Sequence, residues 1–317
     1  MTSVRHRLGL LRGRLVEQAA ARRAWLMQRF FLPARRRRVA RLRYAAVLDG
    51  QTMNLHAELP TSEALPQEAE IRLRRGLRRR HHVPARVYED RDGTLLMDAA
   101  VLLGDEVGGV PVDTGRWKLH LLLHHRRRTR RLPLLLVEPP VPYGGPTKPM
   151  TASPITGDRH RIGRTVTGNA RLVTSEARPA AEIARVDLSH SGLVVDVRVL
   201  GAEVHEPWAE FKEKNRRIEC PLEQVGPATW RVVVPLERME LRRATDHWDV
   251  VLRASGVRPL RFGRRLHDVR NPLRVFAIKE TVVAPSGRTP LIVHPRYTAA
   301  GNFRITCSRM PEAGRRH

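Results

Sequence analysis

Two tryptophan-led strands, 131 residues apart, restrict what this chain can fold into more than any other feature of it. "VDTGRWKLHLLLHHRRRTRRLPL" (residues 112–134) aligns with "RATDHWDVVLRASGVRPLRFGRR" (243–265), setting Trp117 against Trp248. Each segment passes from a polar turn through the Trp into an alternating apolar strand and then a basic, hairpin-like stretch. Asn169 in "TVTGNARLVT" and Asn302 in "TAAGNFRITC" lie 133 apart, each preceded by Gly. Upstream of the two Trp, "TLLMDAAVLL" (94–103) matches "TWRVVVPLER" (229–238), and the strand pair in "AAVLDGQTMNLHAEL" matches that in "ARVDLSHSGLVVDVRV". Four landmarks in one order at nearly one period predict a duplication. The period is too long and the copies too few for a solenoid, and 317 residues suit about two domains.

From residue 44 onward apolar residues recur at every second position, as in "MNLHAEL", "WKLHLLL", "LVVDVRV" and "NFRITC", between Gly, Pro, Asp and Asn turns. A period of two marks half-buried strands, and short strands with frequent turns predict antiparallel sandwiches. The expected fold is mainly β: two tandem antiparallel β-sandwich (Ig-like) domains, residues 44–176 and 177–310, with 311–317 a disordered tail. "EPWAEFKEKNRR" (206–217) reads as a helical turn. Residues 1–43 differ. Leu8, Leu11, Leu15, Ala19, Leu26 and Phe30 share one helical face, with Arg7, Arg12, Arg14, Arg22, Arg23 and Arg29 around it, so a basic amphipathic helical arm precedes the strands.

The formal net charge is +26, and residues 1–43 alone hold 13 Arg and one Glu. Only five of the 58 basic residues are Lys, a bias that a GC-rich genome produces without selection for guanidinium chemistry. "RLRRGLRRRHH" (72–82) and "HHRRRTRR" (124–131) concentrate charge in the first unit. Three readings stay open for them: solvated hairpin tips, a surface for anionic polymer or lipid headgroups, or nucleic-acid binding. No helix-turn-helix, KH, RRM or zinc-finger signature accompanies the charge. Tyr88, Trp117 and Trp248 are the aromatics that would stack on bases, but Trp at the head of an alternating strand suits a core. The candidate binding residues are Arg22, Arg23, Arg29, Arg35, Arg36, Arg37 and Arg38 in the arm, with Arg78, Arg79, Arg80, Arg126, Arg127 and Arg128 in the first unit. The arm, ending in Trp25, Phe30, Phe31 and Leu32, has the composition of an interfacial anchor or of a helix docked on the first unit.

Motifs for catalysis are missing. Asp90 and Asp92 in "EDRDG" form a DxD that reads as a turn; "GGPTKP" (144–149) lacks P-loop spacing; "SHSG" (189–192) reads as a hairpin turn. His81, His82, His120, His124 and His125 have no carboxylate or Cys at ligand spacing, so neither metal nor cofactor is expected. Cys220 and Cys307, without a CxxC, read as buried free thiols. No apolar stretch of about 18 residues would span a membrane, and the first residues lack a secretory h-region; the expected place is the cytoplasm, or the inner face of the plasma membrane.

"GRWKLHLLL", "DHWDVVLRA" and "HPRYTAAGNFRITC" resemble the accessory β-sandwich modules at the C-terminal end of actinobacterial teichoic-acid-type glycosyltransferases and CDP-glycerol glycerophosphotransferases. The resemblance covers residues 44–308. In those enzymes a nucleotide-sugar or CDP-alcohol domain precedes the modules, where this chain has a basic segment, residues 1–43. It therefore implies a non-catalytic accessory or targeting protein for cell-wall glycopolymer synthesis, whose partners are an anionic glycopolymer or membrane surface and a glycosyltransferase. A transferase fragment or subunit needing a catalytic partner, and a nucleic-acid-binding protein, are the alternatives.

Overall fold

Alternation governs the strands: in Thr52–Glu58 the residues Met53, Leu55 and Ala57 are buried and those between them are not. A computed structural model of the chain describes residues 38–136, 147–269, 272–287 and 289–311, together with Ala19, Arg22, Trp25, Leu26 and Phe30. The chain divides into two compact units, Met1–Gly144 with Arg159–Ser175 and Gly145–Asp158 with Glu176–His317. Among the described residues the structure is mainly β. Most of the proposed arm lies outside them, although Arg22, Trp25 and Leu26 are helical and exposed.

Unit 1 contains β1 (Ala40–Val47), β2 (Thr52–Glu58), β3 (Glu68–Arg75), β4 (Arg79–Glu89), β5 (Leu95–Leu102), β6 (Gly115–His125), β7 (Arg128–Leu135), β8 (Arg159–Arg164) and β9 (Ala170–Ser175). Antiparallel pairing runs β1, β2, β5, β4, β3, β6, β7. β7 then meets β1 in parallel at Leu134 and Ala40, so the seven strands close into a barrel-like ring. β4 makes one turn of this ring, since Arg79–Ala85 pair with β3 and Arg86–Glu89 with β5. β9 lies beside the first half of β6 and carries β8. The sequence suggests two open sheets facing each other; here the two sheets are hydrogen-bonded at both edges. One core fills the ring, around Trp117, Met53, Ile71, Leu73, Met97 and Leu121.

Unit 2 contains β10 (Ala180–Leu188), β11 (Leu193–Leu200), β12 (Trp208–Glu213), β13 (Arg216–Pro221), β14 (Glu223–Gly226), β15 (Thr229–Val233), β16 (Thr245–Ala254), β17 (Val257–Arg264), β18 (Thr281–Val283), β19 (Leu291–Tyr297) and β20 (Phe303–Arg309). Its pairing repeats the scheme of unit 1. β10 pairs with β11 and, in parallel, with β17; β11 pairs with β15, β12 with β16, and β16 with β17 and β20. β13 and β14, interrupted at Leu222, take the place of the single strand β4. The Gly-Asn corners match bond for bond. Thr165 N donates to Asn169 O and Gly168 N to Thr165 O, as Thr298 N does to Asn302 O and Gly301 N to Thr298 O. Gly168 and Gly301 sit at φ 82° and 80°, a left-handed conformation that costs a Cβ-bearing residue energy.

The segment read as a helical turn is instead the β12–β13 hairpin. Its apolar residues Ala209 and Phe211 follow a period of two, and Lys214 takes a positive φ of 50° at the tip. Trp117 and Trp248 are both fully buried, each three positions from the same corner through its partner strand (Leu172 and Ile305). Trp117→Ala and Trp248→Ala are each expected to cost about 3–5 kcal/mol. Denaturant unfolding followed by circular dichroism measures this; a loss below about 1 kcal/mol, the size of an ordinary surface effect, would remove that Trp from its core.

Candidate functional site

On β3 and β6 the odd positions fill the core of unit 1, so the even ones project outward, and there the sequence places cations. Register aligns them in rows across the strands. Arg80 on β4 stands opposite Arg74 on β3, which stands opposite Lys118 on β6, which stands opposite Arg171 on β9. Neighbouring strands are about 4.8 Å apart, so four cations follow one another at that interval. The next row is His82, Arg72, His120 and Pro133, and the one after it Pro84, Glu70, Leu122 and Arg131. Like charges opposite one another destabilise a sheet. The carboxylates on these outward positions, Glu68 and Glu70, lie at one end, where Glu70 meets His82 Nδ1 at 2.8 Å and His124 Nε2 at 3.4 Å. The His82 hydrogen bond is the main reason that Glu70 titrates below its usual range.

Arg72 sits at the centre of the face. Its Nε and Nη2 are buried and have no hydrogen-bond partner among the described residues, and the same holds for Nε of Arg171 and Nδ1 of His120. Burial, then the charges of Arg131, Arg74 and Arg80, push the Arg72 guanidinium below its ordinary pKa. Burial, then Arg116 and Arg161, do the same to Arg171. His120 is lowered to about 4, by burial first and then by Arg72, Arg131, Arg74 and Lys118.

The two hairpin tips that the sequence marks do not come together. β3 and β6 are antiparallel with Glu68 opposite His124 and Arg74 opposite Lys118. Arg126, Arg127 and Arg128 therefore lie at one end of the face, and Arg78, Arg79 and Arg80 at the other, at least about 20 Å away for six intervening residues. Arg79 is paired with Asp113, and Arg80 donates to the Leu77 carbonyl at 3.2 Å. Arg22 and Arg38 are exposed; Arg23, Arg29, Arg35, Arg36 and Arg37 lie outside the described residues. Sequence reasoning missed Arg171, from the opposite end of unit 1, and Lys118, hidden in an apolar strand. Alternation around Trp117 was the available signal for Lys118.

The turn readings hold. Asp90 N bonds to Thr94 O and Gly93 N to Asp90 O in the β4–β5 turn, and Ser189 N bonds to Gly192 O between β10 and β11. Cys220 is half-buried and Cys307 buried, both as free thiols; burial pushes Cys307 up to about 12. Among the described residues, no group of three or more His, Cys, Asp or Glu side chains is arranged to hold a metal ion, and no helix is long and apolar enough to cross a membrane.

No family model matches the chain, and no curated protein matches it. Similar solved structures include a crystal structure of S. aureus TarS 217-571, at 11% identity and TM-score 0.32 over 70% of this chain and 61% of that one. Another is S. aureus TarS, at 12% identity and TM-score 0.32 over 62% of this chain and 35% of that one. The chain thus spans less than two thirds of either, and likeness at this level fixes neither topology nor ligand.

His120 gives the face a pH signature. Its folded pKa is depressed, so between about 6.5 and 4 the unfolded chain binds more protons, and stability is lost as pH falls through that window. Discounted for partial exposure, the effect is on the order of 2 kcal/mol. Denaturant unfolding at pH 7 and pH 5 should therefore show a smaller stability difference in His120→Gln than in the wild type; equal differences would separate His120 from the face charges.

Proposed function

We propose that this protein is a non-catalytic accessory or targeting factor for the synthesis of a teichoic-acid-like cell-wall glycopolymer at the inner membrane surface. In this reading it holds the anionic polymer on the outward face of β3, β4, β6 and β9. The observation that carries the reading is the row Arg80, Arg74, Lys118 and Arg171, next to an Arg72 whose Nε and Nη2 have no hydrogen-bond partner among the described residues. A polyanion removes the mutual repulsion of such a row and releases its counterions. The outward positions in these rows carry no Phe, Tyr or Trp on which bases would stack, which favours a polymer without bases over nucleic acid. The two units serve as tandem β modules, and residues 1–39, ahead of β1, as a basic interfacial arm that draws the protein to anionic lipid.

Soluble poly(glycerol phosphate) should bind the full chain, more weakly as salt rises. Replacing Arg74, Lys118 and Arg171 together by Gln should weaken binding by about 3 kcal/mol at low salt, at about 1 per charge. Fluorescence anisotropy with labelled polymer reads both. An unchanged affinity in the triple variant, or tighter binding of single-stranded RNA than of the polymer, would defeat the proposal. Neither UDP-sugars nor CDP-glycerol should be turned over. Changing Arg35, Arg36, Arg37 and Arg38 to Gln should weaken binding to anionic vesicles and leave the polymer affinity intact.

A further inference from the structure

The duplication supplies an internal control for the basic face. With Trp117 matched to Trp248, the pairing aligns Lys118 with Asp249, Arg171 with Arg304, Arg72 with Glu210, His82 with Glu219 and Leu122 with Arg253. Where unit 1 stacks cations, unit 2 mixes signs, with Arg217, Lys212, Asp249 and Arg304 in one row and Glu219, Glu210, Val251 and Arg261 in the next. Arg304 Nε donates to Asp249 Oδ1 at 2.7 Å, and the buried Glu210 carboxylate meets Lys212 Nζ at 3.2 Å and Arg253 Nη2 at 3.2 Å. One fold therefore carries this face in two forms: one neutralised by its own carboxylates, the other without them at the aligned positions.

Building on the polymer-binding reading, we infer that Arg72, with His120 and Arg131, is a seat for one tetrahedral oxyanion ester of the polymer, on a face where unit 2 carries its own carboxylate, Glu210, at the position of Arg72. The two unpartnered nitrogens of Arg72 are the side-on edge of the guanidinium. Elsewhere in the molecule this edge grips a carboxylate: Arg231 Nε and Nη2 hold Asp196 Oδ1 and Oδ2 at 2.7 and 2.9 Å. A fork of this kind matches two oxygens of one anion. His120, a neutral ring at pH 7 whose Nδ1 has no hydrogen-bond partner among the described residues, stands on the neighbouring strand in the same row as Arg72, and Arg131 lies one row further on across β6, so a ring nitrogen and a second cation flank the fork. A planar carboxylate offers two oxygens in one plane; a phosphate ester offers oxygens in several directions, so it meets the fork and its flanking groups together. The nitrogens are screened from solvent, and the side chains of Arg80 and Arg131 beside them are exposed. Glu70, the nearest acid on β3, is engaged by His82 and His124 and so does not fill the seat.

The test compares soluble poly(glycerol phosphate) with polyglutamate of equal charge density on the full chain, and adds the variant Arg72→Lys, which keeps the charge and removes the fork. The wild type should prefer the phosphate polymer at least about tenfold. In Arg72→Lys that preference should disappear, with the melting temperature preserved. On the wild type, which needs no variant to fold, the His120 ring resonances should shift with the phosphate polymer and stay in place with polyglutamate. Equal affinity of the wild type for both polymers, or a preference retained in Arg72→Lys, would overturn the seat and leave the polymer-binding reading standing. Binding to phosphatidylglycerol vesicles without binding to the soluble polymer would assign the seat to lipid headgroups and overturn it as a polymer site. Absence of binding to either polymer would remove the polymer-binding reading itself.

Discussion

The parallel contact between the first and seventh strands of each unit, Ala40 with Leu134 and Ala181 with Phe262, is the constraint on which the rest depends. Without it each unit is a bent antiparallel sheet with two open edges and a half-exposed core. With it the sheet closes and the edges at that seam are satisfied. The contact is only two or three residues long, so it needs outside support. The Gly-Asn corner supplies part of it: Leu136 N donates to Gly168 O, and Arg264 N to Gly301 O, at the ends of the closing strands. That is a physical reason for the same corner to occur in both units.

A closed ring separates two kinds of position. Inward residues are fixed by volume: unit 1 fills that space with Trp117, aliphatic side chains and Met, and unit 2 with Trp248, aliphatic side chains and Phe211, Phe262 and Phe303. Outward residues answer only to solvent and to their neighbours across the strands. The two units have used this freedom in opposite ways. Unit 2 pairs outward acids with bases, as in Asp249 with Arg304, Asp196 with Arg231, and Glu210 with Arg253 at 3.2 Å. Unit 1 keeps such balance on its β2–β5 side, where His56 Nδ1 meets Asp98 at 2.7 Å, and gives it up on the β3–β6 side. Repulsion among outward cations weakens the free protein and strengthens its hold on an anion, the trade that functional surfaces commonly show.

Much of the fold was legible because it is local. Alternation in "MNLHAEL" or "NFRITC" reports burial whichever strand lies alongside, and Gly-Asn reports a left-handed corner from its own backbone preference. The "EPWAEFKEKNRR" segment shows the limit: its Lys and Glu residues suit a helix, and its place beside β16, paired from Trp208 to Lys212, made it a strand.

The sequence by itself determined the strand character, the duplication, the burial of Trp117 and Trp248 and the excess charge of unit 1, because each follows from spacing along one segment. Tertiary structure alone decided where that charge acts. Arg74, Lys118 and Arg171 come from three segments spread over nearly a hundred positions, and only the register of β3, β6 and β9 sets them side by side. The same register carries the two conspicuous Arg runs to opposite ends of the face, since antiparallel strands send their hairpin tips in opposite directions.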